Sequence, residues 1–196
     1  MGKMILASAS PRRAEILKKS NYNFEIVPSP YEEVHSTTVF SFKYVENLAF
    51  NKAKAVVPLI SKDSIIVGAD TVVILDKKIL EKPQTTDNAK QMLHLLSDKT
   101  HKVVTAIAVI DTKTNKHIVK SVVSEVTFNL LTDKMIDYYV DNYKPLDKAG
   151  AYGIQELPEG FVKNYTGSLE NIIGICPAAL QQILNELLNG ESSVNS

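Results

Sequence analysis

From Ser64 to Leu75 the chain reads Ser-Ile-Ile-Val-Gly-Ala-Asp-Thr-Val-Val-Ile-Leu, and no other segment restricts the fold as tightly. β-Branched residues dominate it, and they favour extended backbone. Side chains of a strand alternate between two faces, and here both faces are apolar. Such a strand must be covered on both sides, which places it at the centre of a sheet. Gly68 and Asp70 interrupt the run. An unpartnered carboxylate buried there would cost on the order of several kcal/mol, so Asp70 needs partners.

The elements around this strand follow from periodicity and capping. Met4-Ile5-Leu6-Ala7 reads as a short buried strand, and Asn23–Val27 as another. Between them lies Ser8-Ala9-Ser10-Pro11-Arg12-Arg13, with Ser10 a good N-cap and Pro11 suited to the first helical position. A strand, a serine-rich loop and a helix N-terminus bring free amides and the positive dipole end together, which suits an anion. Arg12 and Arg13 add cations to that positive end, so something should compensate: a bound phosphate, or merely solvent. A loop with Glu32, Glu33 and His35 leads to a helix capped by Ser41 that reaches roughly Ser61, its stripe being Val45, Leu48, Ala49, Val56, Leu59 and Ile60. Lys52 falls on that stripe. It either snorkels from the edge or is a cation aimed into a cleft.

Asp76-Lys77-Lys78 predicts a turn into Ile79-Leu80-Glu81, followed by Lys82-Pro83. Thr86 is placed to cap a helix with Ala89, Met92, Leu93 and Leu96 on its stripe. Strands Thr100–Asp111 and His117–Asn129 flank a hairpin loop, and Thr132 caps a helix carrying Met135, Ile136, Tyr139 and Val140. From Gly150 onward lie six of the eight glycines, so the backbone there turns tightly or approaches something closely. Pro177–Leu188 is an amphipathic helix that Gly190 can close. Residues 1–190 are expected to form a single domain, with 191–196 a polar tail.

At 196 residues the chain can bury one substantial core or two small lobes. Its 22 basic and 22 acidic side chains cancel, which argues against a nucleic-acid binder. The single Cys176 excludes an internal disulfide and fits a reducing compartment; with no signal peptide and no apolar run long enough for a membrane span, a cytosolic protein is expected. The four histidines lack metal-ligand spacing, and no GxSxG, Walker A or GxGxxG pattern occurs. What remains is Ser8, Ser10, Arg12, Arg13, Glu33, Lys52, Asp70 and Lys82. Cations and hydroxyls suit a polyphosphate, and carboxylates suit Mg²⁺ or Mn²⁺ bridging to its oxygens.

Four stretches, taken in order, resemble the Maf family of nucleotide pyrophosphatases: Leu6-Ala7-Ser8-Ala9-Ser10-Pro11-Arg12-Arg13, Gly68-Ala69-Asp70-Thr71-Val72-Val73, Glu81-Lys82-Pro83, and Asp147-Lys148-Ala149-Gly150-Ala151-Tyr152-Gly153-Ile154-Gln155. Gly167-Ser168 with Asn171–Gly174 adds a fifth similarity. The resemblance implies a mixed α/β fold with a curved central sheet flanked by helices, two lobes and a cleft, similar to the inosine triphosphate pyrophosphatases. It implies cleavage of a nucleoside triphosphate between its α- and β-phosphates with a divalent metal, and a family that commonly forms homodimers. By motif, Ser8, Ser10, Arg12 and Arg13 would hold phosphates, while Lys52 and Lys82 would neutralise developing charge. Glu33 and Asp70 would position metal and water, Asp70 either as the base or as a metal ligand. Arg12, Thr71 and Gln155 match the branch acting on dTTP and UTP rather than the one acting on 7-methyl-GTP. An amide can pair with a pyrimidine carbonyl and N–H, whereas a carboxylate suits methylated guanine. Two departures stand out: Tyr31 precedes Glu32-Glu33 where the family often has an Asp-Glu pair, and Glu156 follows Gln155 where Gly is common. The alternative reading is a non-catalytic nucleotide- or nucleic-acid-binding regulator of cell division, since the family was first named for inhibiting septum formation.

Overall fold

A computed structural model describes residues 2–33, 39–60 and 63–189. His35, Ser61, Gly190 and the expected tail lie outside them. Among the described residues, β1 (Lys3–Leu6) lies between β2 (Glu25–Ile26) and β3 (Ser64–Leu75), parallel to both. β5 (Thr100–Asp111), β6 (His117–Phe128) and β7 (Val162–Thr166) follow β3 in antiparallel order. β4 (Lys78–Leu80) folds back onto the end of β3 through a tight turn in which Asp76 and Lys77 both take positive φ. The result is a mixed seven-stranded sheet with helices on its faces, and β3 runs through its middle.

β3 is covered on both faces, as its composition requires. Ile65, Val67 and Ala69 pack with Leu17 of α1 (Pro11–Lys19) and Leu180 and Ile183 of α6 (Pro177–Asn189). Ile66, Val72 and Ile74 turn the other way, onto Val45, Ala49 and Ala53 of α2 (Phe42–Lys54). Val73 and Leu75 belong to a further core with Leu93 of α3 (Thr86–Leu96), Tyr139 of α4 (Asp133–Tyr143) and the rings of Phe128 and Phe161. One face of β3 thus serves one lobe up to Ala69 and another from Val73. Thr71 stands between them, the one residue of β3 that is not buried.

The same place is a gap in the sheet edge. β1 pairs with β3 from Ser64 to Val67, and β4 pairs with it from Val73 to Leu75. Along that edge no described strand covers residues 68–72, and a cleft opens there. Gly68 sets its width. A Cβ at this position would lie 2.4 Å from the Ala49 carbonyl oxygen and 2.8 Å from the Ala53 nitrogen, so only glycine lets α2 press against β3 here.

Several boundaries differ from expectation. α2 stops at Lys54, because Pro58 lies in a 3₁₀ turn, Val57–Leu59, that leaves Leu59 exposed rather than on the apolar stripe. Thr85, not Thr86, caps α3, accepting from the Asn88 amide at 3.1 Å. The strand expected over Asn23–Val27 pairs only at Glu25–Ile26. The glycine-rich region contains β7 and a short α5 (Leu169–Ile173), neither of which was expected.

Candidate active site

The site starts where β1 ends. The Ala7 amide still donates to the Val67 carbonyl of β3, so the Ser8–Ser10 loop is carried directly by the sheet. Ser10 caps α1 by accepting from the Arg13 amide, with Pro11 at the first helical position. Ser8 Oγ accepts from the Ser10 amide at 3.2 Å and from Arg13 Nη1 at 3.3 Å, which leaves its own O–H to donate. Both serine oxygens are therefore occupied in shaping the loop.

Compensation for the two arginines comes from the protein itself. Arg12 Nη1 donates to Asp147 Oδ2 at 3.1 Å. Arg13 donates through Nε to the Gly174 carbonyl at 2.8 Å and through Nη2 to Thr71 Oγ1 at 3.1 Å. Three of the five Arg13 N–H groups are thus placed among the described residues. Burial pulls the Arg13 guanidinium below its ordinary pKa, against the opposing charge of Asp70. Thr71 in turn shares a hydrogen bond with Thr105 Oγ1 at 2.9 Å, and Thr105 donates to the Asn171 carbonyl. The Thr71 hydroxyl is thus enclosed by protein groups and braces Arg13.

On the other face of β3, Lys52 reaches from the last turn of α2 to Asp70. The ammonium makes a short ion pair with Asp70 Oδ1 and a second one with Glu33 Oε1 at 2.6 Å. The side chains of all three are largely shielded from solvent. Lys52 is thus directed into the cleft and does not snorkel away from it. Asp70 gains the partner its burial demands.

All ten candidate residues line one cleft of about 490 Å³. Lys82 and Gln155 are exposed where they line it. The segment carrying Gln155 is pinned from below. The Gly150 amide donates to the Glu81 carbonyl, and the Gly153 amide donates to Tyr139 Oη at 3.1 Å. Buried Lys148 pairs with Asp147 at 2.9 Å and Glu156 at 3.1 Å, so the unusual Glu156 has a cationic neighbour. Burial alone would raise the pKa of Asp147, but hydrogen bonds from Lys148 and Arg12 hold it below the usual range. Tyr44, Glu81, Asp147 and Lys148 also line the cleft and were not among the expected site residues. Tyr44 had a legible signal: Tyr44, Leu48 and Lys52 fall four residues apart on one helical face.

Among the described residues no group of three or more His, Cys, Asp or Glu side chains is arranged around a metal position. Glu33 and Asp70 nevertheless converge on a single ammonium. A pair of carboxylates is what a hard divalent cation requires when substrate phosphates and water complete its shell, so the donor set fits Mg²⁺ or Mn²⁺. No helix among the described residues is long and apolar enough to cross a membrane.

Cations and carboxylates facing each other across a gap in a mixed sheet define an α/β protein built around an anionic ligand. The chain belongs to the Maf-like protein family, whose model matches residues 3–187. Among curated relatives, a protein of Alkaliphilus oremlandii named dTTP/UTP pyrophosphatase is 45% identical over 89% of this chain and 91% of its own. Proteins of the same name from Vibrio vulnificus and Escherichia coli O157:H7 are 40% and 44% identical, covering 96% and 89% of this chain and 100% and 88% of theirs. Among solved structures, a Mycobacterium abscessus protein described as nucleoside-triphosphatase and dITP/XTP pyrophosphatase matches with a TM-score of 0.48 at 17% identity, over 98% of both chains.

Proposed function

We propose that this chain is a nucleoside triphosphate pyrophosphatase that splits dTTP and UTP, and modified pyrimidine nucleotides with the same base edge, into the monophosphate and pyrophosphate. One observation carries the reading: the Lys52 ammonium is held between Glu33 and Asp70 in the cleft that the Arg12–Arg13 loop also lines. Hydrolysis of a phosphoanhydride needs an acceptor for the proton of water and cations for the oxygens that gain charge. Water adds to the α-phosphorus, the bond to the bridging oxygen breaks, and pyrophosphate departs with that electron pair. Asp70 takes the proton of water or, with Glu33, would hold the divalent metal. Arg12, Arg13, the Ser8 hydroxyl and the Ser10 loop at the α1 N-terminus bind phosphate oxygens. Lys52 and Lys82 neutralise the charge that develops. When bound, Mg²⁺ or Mn²⁺ would polarise a phosphate oxygen and acidify a coordinated water. Gln155 meets the base, and Thr71 contributes to selectivity through the arginine it braces.

The substrate assignment draws on the Arg12, Thr71 and Gln155 combination and on the names of the relatives. A purely binding role in cell division draws nothing from a cleft that sets two carboxylates on a lysine. We place the enzyme in the cytoplasm, where its one thiol, the buried Cys176, stays reduced. We further take residues 1–190 as one domain that pairs into a homodimer, a state that light scattering reads directly. The reading is tested with a phosphate assay coupled to inorganic pyrophosphatase, run over a nucleotide panel with Mg²⁺ or Mn²⁺. Turnover of dTTP and UTP should exceed that of 7-methyl-GTP. A preference for 7-methyl-GTP, or no pyrophosphate from any nucleotide, would overturn it.

A further inference from the structure

Tyr44 carries a feature that the reaction as described does not use. It lies in the first turn of α2, where its amide donates to Ser41 Oγ at 3.2 Å. Its side chain lines the cleft on the same helical stripe as Leu48 and Lys52. Helical side chains lean towards the N-terminus, so Lys52 reaches back in the direction of Tyr44. The phenolic oxygen is shielded from solvent yet has no hydrogen-bond partner among the described residues. Buried hydroxyls are nearly always paired, and an unpaired one in a cleft wall invites an explanation from a ligand. Burial, and after it the charges of Glu81, Asp70, Glu33 and Tyr31, hold its pKa above the ordinary phenol value. It is therefore a neutral O–H donor at any working pH.

We propose that Tyr44 is a substrate-binding residue of this cleft, its phenolic O–H donating to a non-bridging oxygen of the bound nucleotide's phosphate chain. The assignment rests on the pyrophosphatase reading above. A phosphate oxygen is a pure acceptor, which is what an unsatisfied donor lacks, and it brings negative charge to a wall where Lys52 offsets Glu33 and Asp70. A ribose hydroxyl would find nearer acceptors in the carboxylates themselves. In the ligand-free protein the unpaired hydroxyl is a stability cost, accepted because the partner arrives with the substrate.

Tyr44→Phe removes the hydroxyl and nothing else. Without ligand, the variant should melt at or above the parental temperature. Its kcat/KM on dTTP should fall by about tenfold or more, as loss of a hydrogen bond to a charged acceptor implies. The rise in melting temperature that inorganic tripolyphosphate gives the parent should shrink in the variant. Parental kinetics on dTTP in a normally folded Tyr44→Phe would overturn the assignment while leaving the pyrophosphatase reading intact. A lower ligand-free melting temperature would make the hydroxyl structural and overturn it too. Loss on dTTP with an unchanged tripolyphosphate shift would move the contact to the sugar or base, against the proposal. A parent that hydrolyses no nucleotide would instead sink the underlying reading; the tripolyphosphate shifts of parent and variant would still decide whether Tyr44 meets phosphate.

Discussion

Asp70 is 5% exposed, and its charged partner among the described residues is Lys52. Asp70→Asn keeps shape and hydrogen bonding but removes both basicity and charge. The lysine keeps Glu33 at 2.6 Å, so its ammonium is not stranded and the variant should fold. Turnover on dTTP should drop by at least about 10²-fold, the lower end for loss of a general base. A folded variant that keeps more than a tenth of parental turnover would remove Asp70 from the mechanism. Its need for a partner was readable from one carboxylate in an apolar strand; which partner was not. Lys52 and Glu33 lie 18 and 37 positions away in sequence, and they meet through the packing of α2 on β3 and the hydrogen bond from Ser29 Oγ to the Lys52 carbonyl. Thr71 teaches the converse. Motif position marks it as a selectivity residue, while its hydroxyl is engaged by Arg13 and Thr105.

At the level of elements, the contact between α2 and β3 sets the geometry of the cleft. Gly68→Ala would put a methyl group against the backbone of α2, which no rotamer change can relieve. The helix must back away and take Lys52 with it. We expect a destabilisation of about 1–3 kcal/mol, as for other overpacked sites, and a fall in dTTP turnover, both read from melting curves and the coupled assay. Parental values for both would show that the helix does not need this approach. The long elements were legible because their signals are long: twelve residues of β3 and of β5 announce themselves by β-branched composition. β7 does not, because Val162–Thr166 is an edge strand exposed along most of its length and has no alternation to read. α5 has five residues, too few for a helical period to emerge. At α2 the apolar stripe continues past the true end, and Pro58 overrides it.

Taken whole, the molecule's stability should depend on pH through a buried histidine. His101 is buried beneath the Gln155 segment, sharing a 2.6 Å hydrogen bond with Tyr152 and edge contacts with the rings of Phe128 and Tyr152. Burial lowers its pKa from 6.5 to about 4. The folded protein therefore keeps the ring neutral in a range where the unfolded chain would protonate it. Its contribution to stability is complete above pH 6.5 and is lost as the pH falls towards 4, on the order of 3 kcal/mol. Urea titrations should show unfolding free energy declining through that window, with a shallower decline in His101→Gln. Equal slopes for parent and variant would exclude the histidine as the cause.

Arg13 donates to a carbonyl 161 residues further along the chain. Protein synthesis proceeds from the N-terminus, so Arg13 leaves the ribosome long before the residue that anchors it. Every strand from β1 to β7 has been synthesised before Gly174 exists. A chain halted before Gly174 can pair those strands, yet its Arg12–Arg13 loop lacks this strut. On the function proposed above, such a chain would carry its phosphate-binding loop without one of the braces that set it in place.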